Sequence, residues 1–177
     1  LLDGLGKTLL ITLVACLLGV PIGVTAAVKK YSAVDMITTV TGLFFASIPT
    51  FFLGILMLLL FSLRLEWLPS NGIGSFKSYI MPVLSLSLPS MAFISRMSRS
   101  TMLDVINQDY IQTAKAKGCS PMRIIFHHEL RNAMMPVVTQ VGMDFAALLG
   151  GSVIVENVFG LPGFGNVILN AIHAQDA

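Results

Sequence analysis

Long apolar runs alternate with short polar ones along this chain, and the alternation predicts membrane-spanning helices. Crossing about 30 Å of hydrocarbon takes about 20 mostly apolar residues. Residues 8–28 carry no charge, and neither do residues 36–63, a run long enough to tilt. Residues 79–95 form a shorter span containing Pro82 and Pro89, and residues 133–155 form another containing a single acid, Asp144. The prolines Pro21, Pro49, Pro82 and Pro89 each remove a backbone hydrogen bond and read as kinks. Small residues at spacing four (Gly19/Gly23, Gly42/Ala46, Ala146/Gly150) permit close helix packing. Ser85, Ser87 and Ser90 give the third span a polar character. In the last span Gln140, Asp144, Ala147 and Gly151 share one helical face, and a polar, small-residue face points at protein or a water-filled path. An intramembrane acid is a functional candidate by default. For Asp144 the alternative is a buried partner to a Ser, Thr or Lys of a neighbouring subunit.

The polar insert at about 98–131 has its own periodicity. Leu103, Ile106, Tyr110 and Ala114 recur at three- and four-residue steps, the apolar face of a helix. Asp104 and Asp109 lie toward its start, and Lys115 and Lys117 lie in its last turn, as the helix dipole favours. Gly118 follows, where a left-handed residue ends a helix. Ser120 can cap a second helix and Pro121 suits its first position. Met122, Ile125, Phe126 and Leu130 form the second apolar face, and this helix runs into the last span at residues 132–136. The expectation is an all-α, polytopic transmembrane chain with a helix–Gly–helix insert. That insert is either a linker resting on lipid or an element gripped by something soluble.

Composition excludes a soluble domain. The chain is 55% hydrophobic and 11% charged, with mean hydropathy +0.82, against about 25% charged residues in soluble domains. Its 177 residues suit one membrane domain, residues 1–177. Net charge of +2 decides little, but the distribution orients the spans. Lys29, Lys30, Arg96, Arg99, Lys115, Lys117, Arg123 and Arg131 fall on one side, leaving Lys7, Arg64 and Lys77 for the other. The positive-inside bias then makes the insert cytoplasmic. The 64–78 loop, with Trp67, and the tail from Gly160 become external. The chain begins at Leu1 and stops in a polar stretch, which suggests a fragment.

Catalytic and metal chemistry find no support. Cys16 and Cys119 lie too far apart in this topology for a disulfide or a metal site. Gly4-Leu-Gly-Lys7-Thr8 has Leu1 where a phosphate loop needs its first glycine, and a span follows instead of a strand–helix unit. His127-His128-Glu129 fails the zinc-protease pattern at Asn132. Gly160 to Gly165 lacks a preceding phosphate-site strand and reads as an external turn.

The insert resembles that of permease subunits of bacterial ATP-binding-cassette importers. Those share a pattern Glu-Ala-Ala-x-x-x-Gly, followed later by Ile-x-Leu-Pro. Here Gln112-Thr113-Ala114 stands for Glu-Ala-Ala, Gly118 is in place and Leu130 matches, while His128 and Arg131 depart. Residues 113–118 (Thr-Ala-Lys-Ala-Lys-Gly), 128–139 and 155–165 (Val-Glu-Asn-Val-Phe-Gly-Leu-Pro-Gly-Phe-Gly) are similar to the first of two permease subunits in dipeptide, oligopeptide and nickel importers. The resemblance implies a multi-pass subunit of a bacterial or archaeal cytoplasmic membrane, with one more span before Leu1 and one after Ala177. It implies a homologous second permease, two cytoplasmic ATPases holding ATP and Mg, and an extracytoplasmic binding protein. This chain would bind no cofactor, metal or nucleic acid and would not itself be an enzyme. ATPase docking would fall to Gln112, Thr113, Ala114, Gly118, Ser120, Pro121, Arg123, Ile125, Phe126, His127 and Leu130. Ile125, Phe126 and Leu130 would be its buried contacts, and Arg123 and His127 its rim. Gln140, Asp144 and Gly151 become translocation-path candidates for a peptide, a nickel or metal complex, or glutathione. An ATP-independent secondary transporter or channel is the alternative, and it should show inverted repeats and several intramembrane charges.

Overall fold

The computed structural model describes residues 2–70, 76–151 and 153–161, and all regular structure among them is helical. Helix α1 spans Leu2–Val28 and α2 spans Ala33–Ser47; α3 spans Thr50–Met57 and continues as a π-helical turn over Leu58–Arg64. Helix α4 spans Lys77–Ile106, α5 Asp109–Ala116 and α6 Pro121–Arg123. A second π-helical turn, Ile124–Glu129, joins α6 to α7, Leu130–Gly151, and α8 spans Val153–Val158.

Helices α1 and α4 form the axis of the bundle. Ala15, Gly19, Gly23 and Ala27, four residues apart, are all buried. A Cβ at Gly19 would stand 2.9 Å from the Met91 carbonyl oxygen, and one at Gly23 would overlap the carbonyl of Ser95. Small residues therefore bring the two backbones into contact. The opposite side of α1 exposes Leu9, Leu13 and Leu17, as a lipid-facing surface requires. Helix α4 is built the other way round, with Ser78, Ser85, Ser87, Ser90, Ser95 and Ser98 all buried. Ser85 Oγ donates to the Pro82 carbonyl at 2.9 Å, which gives this buried hydroxyl a partner within its own helix.

Three boundaries differ from those read in the sequence. The 36–63 run is not one straight helix. It bends by 96° between Ser47 and Thr50. Ile48 is extended (φ −88°, ψ 126°) and Pro49 caps α3; the ring of Pro49 disfavours a helical residue before it. Pro21, Pro82, Pro89 and Pro136 instead lie inside continuous helices. The third span is Lys77–Ile106, 30 residues and about 45 Å long at 1.5 Å per residue, so it takes in the first part of the predicted 98–131 insert. Residues 98–106 stay helical because Ser98, Thr101 and Met102 are buried in the bundle. The fourth run, 133–155, is divided between α7 and α8.

Among the described residues α1 and α4 are each long and apolar enough to cross a membrane, and the bent pair would make a third span. The centre of the predicted external loop and the turn at residues 162–165 lie outside the described residues.

Candidate functional site

The insert is a short hairpin of helices tied to the bundle. Helix α4 stops at Asn107, whose side-chain amide donates to the Leu103 carbonyl. Leu103 and Ile106 therefore belong to α4, and the single face predicted through Ala114 is split between two helices. Helix α5 ends in a Schellman turn. Gly118 N–H donates to the Lys115 carbonyl at 2.9 Å and Cys119 N–H to the Ala114 carbonyl at 3.2 Å. Gly118 takes φ +77°, a conformation that strains any residue with a Cβ. Ser120 occupies the next N-cap with Pro121 just inside, but its side chain makes no cap bond; the Ser120 carbonyl accepts from Ile124 N–H at 3.0 Å.

Two contacts hold the hairpin angle. Ile111, Ala114 and Ile124 form a buried cluster with Val105 and Cys119 around it. Asn132 Nδ2 donates to the Tyr110 hydroxyl oxygen at 3.0 Å and to the His128 carbonyl at 2.9 Å, joining α5 to the start of α7. The π-helical turn at Ile124–Glu129 then redistributes the predicted second face. Ile125 and Leu130 turn partly inward and are half-buried against Ala27, Met102 and Ala133. Met122 and Phe126 remain 64% and 59% exposed. Gln112, Thr113, Gly118, Ser120, Pro121, Arg123 and His127 are exposed around them, while Ala114 is buried. An extra residue per turn rotates the helix face, which a 3.6-residue period cannot anticipate.

Glu129 was not singled out by the sequence. It is buried at 4% exposure beside a cavity of about 380 Å³ with Lys115, Cys119 and Ile106. Burial pushes its carboxyl above the usual carboxylate range, and the Lys115 charge partly opposes that.

A second constellation lies at the bend. Ala46 and Thr50 flank it and line a cavity of about 310 Å³ together with Pro89, Ser90, Asp144 and Ala147. Asp144 Oδ2 is buried and has no hydrogen-bond partner among the described residues. Gln140 is half-buried and absent from that lining. Gly151 ends α7. The arrangement brings Asp144 and Ala147 together and leaves Gln140 apart.

Asp35 and Arg99 form the third feature. Arg99 Nη2 donates to Asp35 Oδ2 at 2.8 Å and its Nε donates to Oδ1. Tyr31 N–H also donates to Oδ2 at 3.0 Å, and Ser32 Oγ accepts from Asp35 N–H at 3.4 Å. This fork locks the α1–α2 turn to α4. Its local half was legible as Ser32-x-x-Asp35, a capping pattern; Arg99 entered the sequence reading through its charge alone.

A family model described as the binding-protein-dependent transport system inner membrane component matches residues 19–177. The chain is 42% identical over 165 residues to the glutathione transport system permease protein GsiC of Salmonella choleraesuis (strain SC-B67), covering 92% of this chain and 53% of that one. It is 40% identical over 162 residues to the protein of the same name from Escherichia coli (strain K12), at the same coverage of 92% and 53%. The chain thus spans about half the length of the curated relatives it matches.

Proposed function

The chain belongs to the inner membrane components of binding-protein-dependent transport systems, and from that premise we propose that it forms half of an ATP-driven import path for a peptide-class solute. The path is completed by a homologous second permease. An extracytoplasmic binding protein delivers the solute, and two cytoplasmic ATPase subunits hold ATP and Mg and carry out the hydrolysis. Glutathione is the first solute to try, because the relatives above are named for its transport. A nickel or metal complex is the other class the sequence motifs allow.

The observation that carries this reading is the exposed pair Met122 and Phe126 on a helix continuous with α7. Two large apolar side chains one turn apart suit a groove in a soluble partner. Force applied there passes along one helix to Asp144 and the cavity at the bend. ATP binding can shift the spans only through contacts that differ between the two states, and a hinge fixed at Gly118 and Tyr110–Asn132 gives those contacts a lever. The insert is then cytoplasmic, where the ATPases are.

The test is ATP-dependent uptake of glutathione into vesicles holding the full-length permease and its genomic partners. Phe126→Asp should weaken ATPase binding by about 2 kcal/mol or more, the range of an interface hot spot. ATPase co-purification and uptake should fall together. Uptake that needs no ATP, or that ignores the substitution, would favour a secondary transporter with a lipid-resting insert.

A further inference from the structure

The Asp144 carboxylate has no role in the hinge. Its Oδ2 is sealed from solvent and accepts no hydrogen bond among the described residues. A buried acceptor without a donor costs about 1–3 kcal/mol, and more when charged. Such an atom is stable only if something brings it a donor.

The space for that donor is present. The side chain lines a cavity of about 310 Å³, far larger than the roughly 30 Å³ of a water in the liquid and at the lower end of ligand-pocket sizes. Among the described residues no basic side chain lines it, and its other polar side chains are the hydroxyls of Thr50 and Ser90. The C-terminus of α2 and the N-terminus of α3 meet there at Ala46 and Thr50. Their partial charges are opposite in sign, so the carboxylate decides the field. Arg96 does not line the cavity; its guanidinium lies 5.7 Å from the centre of the Phe93 ring, and that ring is part of the wall.

We propose that this cavity takes the ammonium group of the transported solute, with Asp144 as the residue that recognises it. The inference rests on the transport reading above and names the chemistry that its path selects. An ammonium group carries three donors and can satisfy Oδ2 and the neighbouring hydroxyls together, while Leu86, Phe93 and Leu148 accept the apolar remainder.

Ala147 lines the same cavity and gives access to it. In the full-length complex with its genomic partners and with other cysteines replaced, the Ala147→Cys thiol is titrated with two methanethiosulfonates. One carries a trimethylammonium group and the other a sulfonate. The cationic reagent should react at least about tenfold faster, the scale on which a charged cleft concentrates its counter-ion. Adding Asp144→Asn should bring the two rates to within about twofold. The same Asn variant should lower uptake of the peptide used above by about tenfold and leave ATPase co-purification unchanged. Equal rates with Asp144 in place overturn the proposal. So does a thiol that neither reagent reaches, because a neighbouring subunit's basic group would then fill the cavity; loss of the second permease from Asp144→Asn preparations would point the same way. Thiol modification needs neither ATP nor transport. Absent ATP-driven uptake by the native complex therefore counts against the transport reading, while the charge preference is judged on its own rates.

Discussion

Helix α4 meets its two long neighbours on opposite terms. Against α1 there is no space: carbonyl oxygens of Met91 and Ser95 occupy the place of the missing side chains at Gly19 and Gly23. Toward α7 and the bend there is a cavity, with Pro89, Ser90 and Phe93 on one wall and Asp144 and Ala147 on the other. Backbones in contact cannot slide without collision, because packed interiors transmit strain instead of absorbing it. A cavity wall can close or widen. On the transport reading proposed above, the contrast divides the molecule into a frame, α1 with α4, and a moving side, α7 with the hairpin.

The most direct way to break that division is to wedge the frame. A Cβ at residue 23 already overlaps the Ser95 carbonyl and stands 2.7 Å from Ser98 Cβ. Gly23→Leu should cost at least about 3 kcal/mol, the upper range for overpacking, and the full-length protein should lose its thermal transition in detergent. Gly42→Ala, on α2 and facing the same helix α4, is the control. Its new methyl would meet Arg96 Cγ at an ordinary 3.7 Å, so stability should stay within about 0.5 kcal/mol. Equal damage from both substitutions would remove the distinction between a sealed seam and a loose one.

The frame has a second clamp, and its loss should matter less. Asp35 anchors α2 to α4 through Arg99, with the acid side chain 6% exposed and the arginine 27%. Asp35→Ala removes a two-pronged charged hydrogen bond and frees the Tyr31 N–H, which should cost about 2 kcal/mol. Protection of α2 amides against hydrogen exchange should drop while α1 stays protected. An α2 that exchanges as before would show that the α1–α2 turn is held by other contacts.

The same division explains what the amino-acid pattern disclosed. Gly19/Gly23 and Gly118 were readable because each answers a local demand: small residues at one spacing for close packing, and a left-handed turn after Lys115 and Lys117. The bend was not, because Pro49 looks no different from Pro82 and Pro89, and only the surrounding helices decide which proline interrupts a span. The partition of Leu103 from Tyr110, and of Ile125 from Phe126, also escaped. An unexpected stop at Asn107 and a π-helical turn both change the phase of a helix face without changing its residues. Arg99 and Asp35 lie 64 positions apart, beyond any local pattern. Glu129 sits in a polar run, where nothing signals burial.

Glu129 offers the finest probe of the moving side. Its carboxyl is buried between α5 and the π-helical turn, and desolvation raises its affinity for a proton above that of the unfolded chain. The folded state therefore binds more protons than the unfolded state between the ordinary carboxylate range, about 4.3, and the raised value. Stability falls with pH wherever the folded state binds more protons. The hairpin's stability should be full below the ordinary range and decline as pH rises through the folded-state value, since the charge must then be held in a dry site beside Lys115. Glu129→Gln keeps the shape and abolishes the titration. Amide exchange of residues 111–124, compared across that window, should speed up with pH beyond the intrinsic rate in the native protein and follow the intrinsic rate in the variant. The frame gives the internal reference, because α1–α4 amides carry no such carboxylate and should show no excess in either protein. A matching excess along α1 would mean that pH loosens the whole bundle, and the hairpin would then be as much a part of the frame as the helices it was set against.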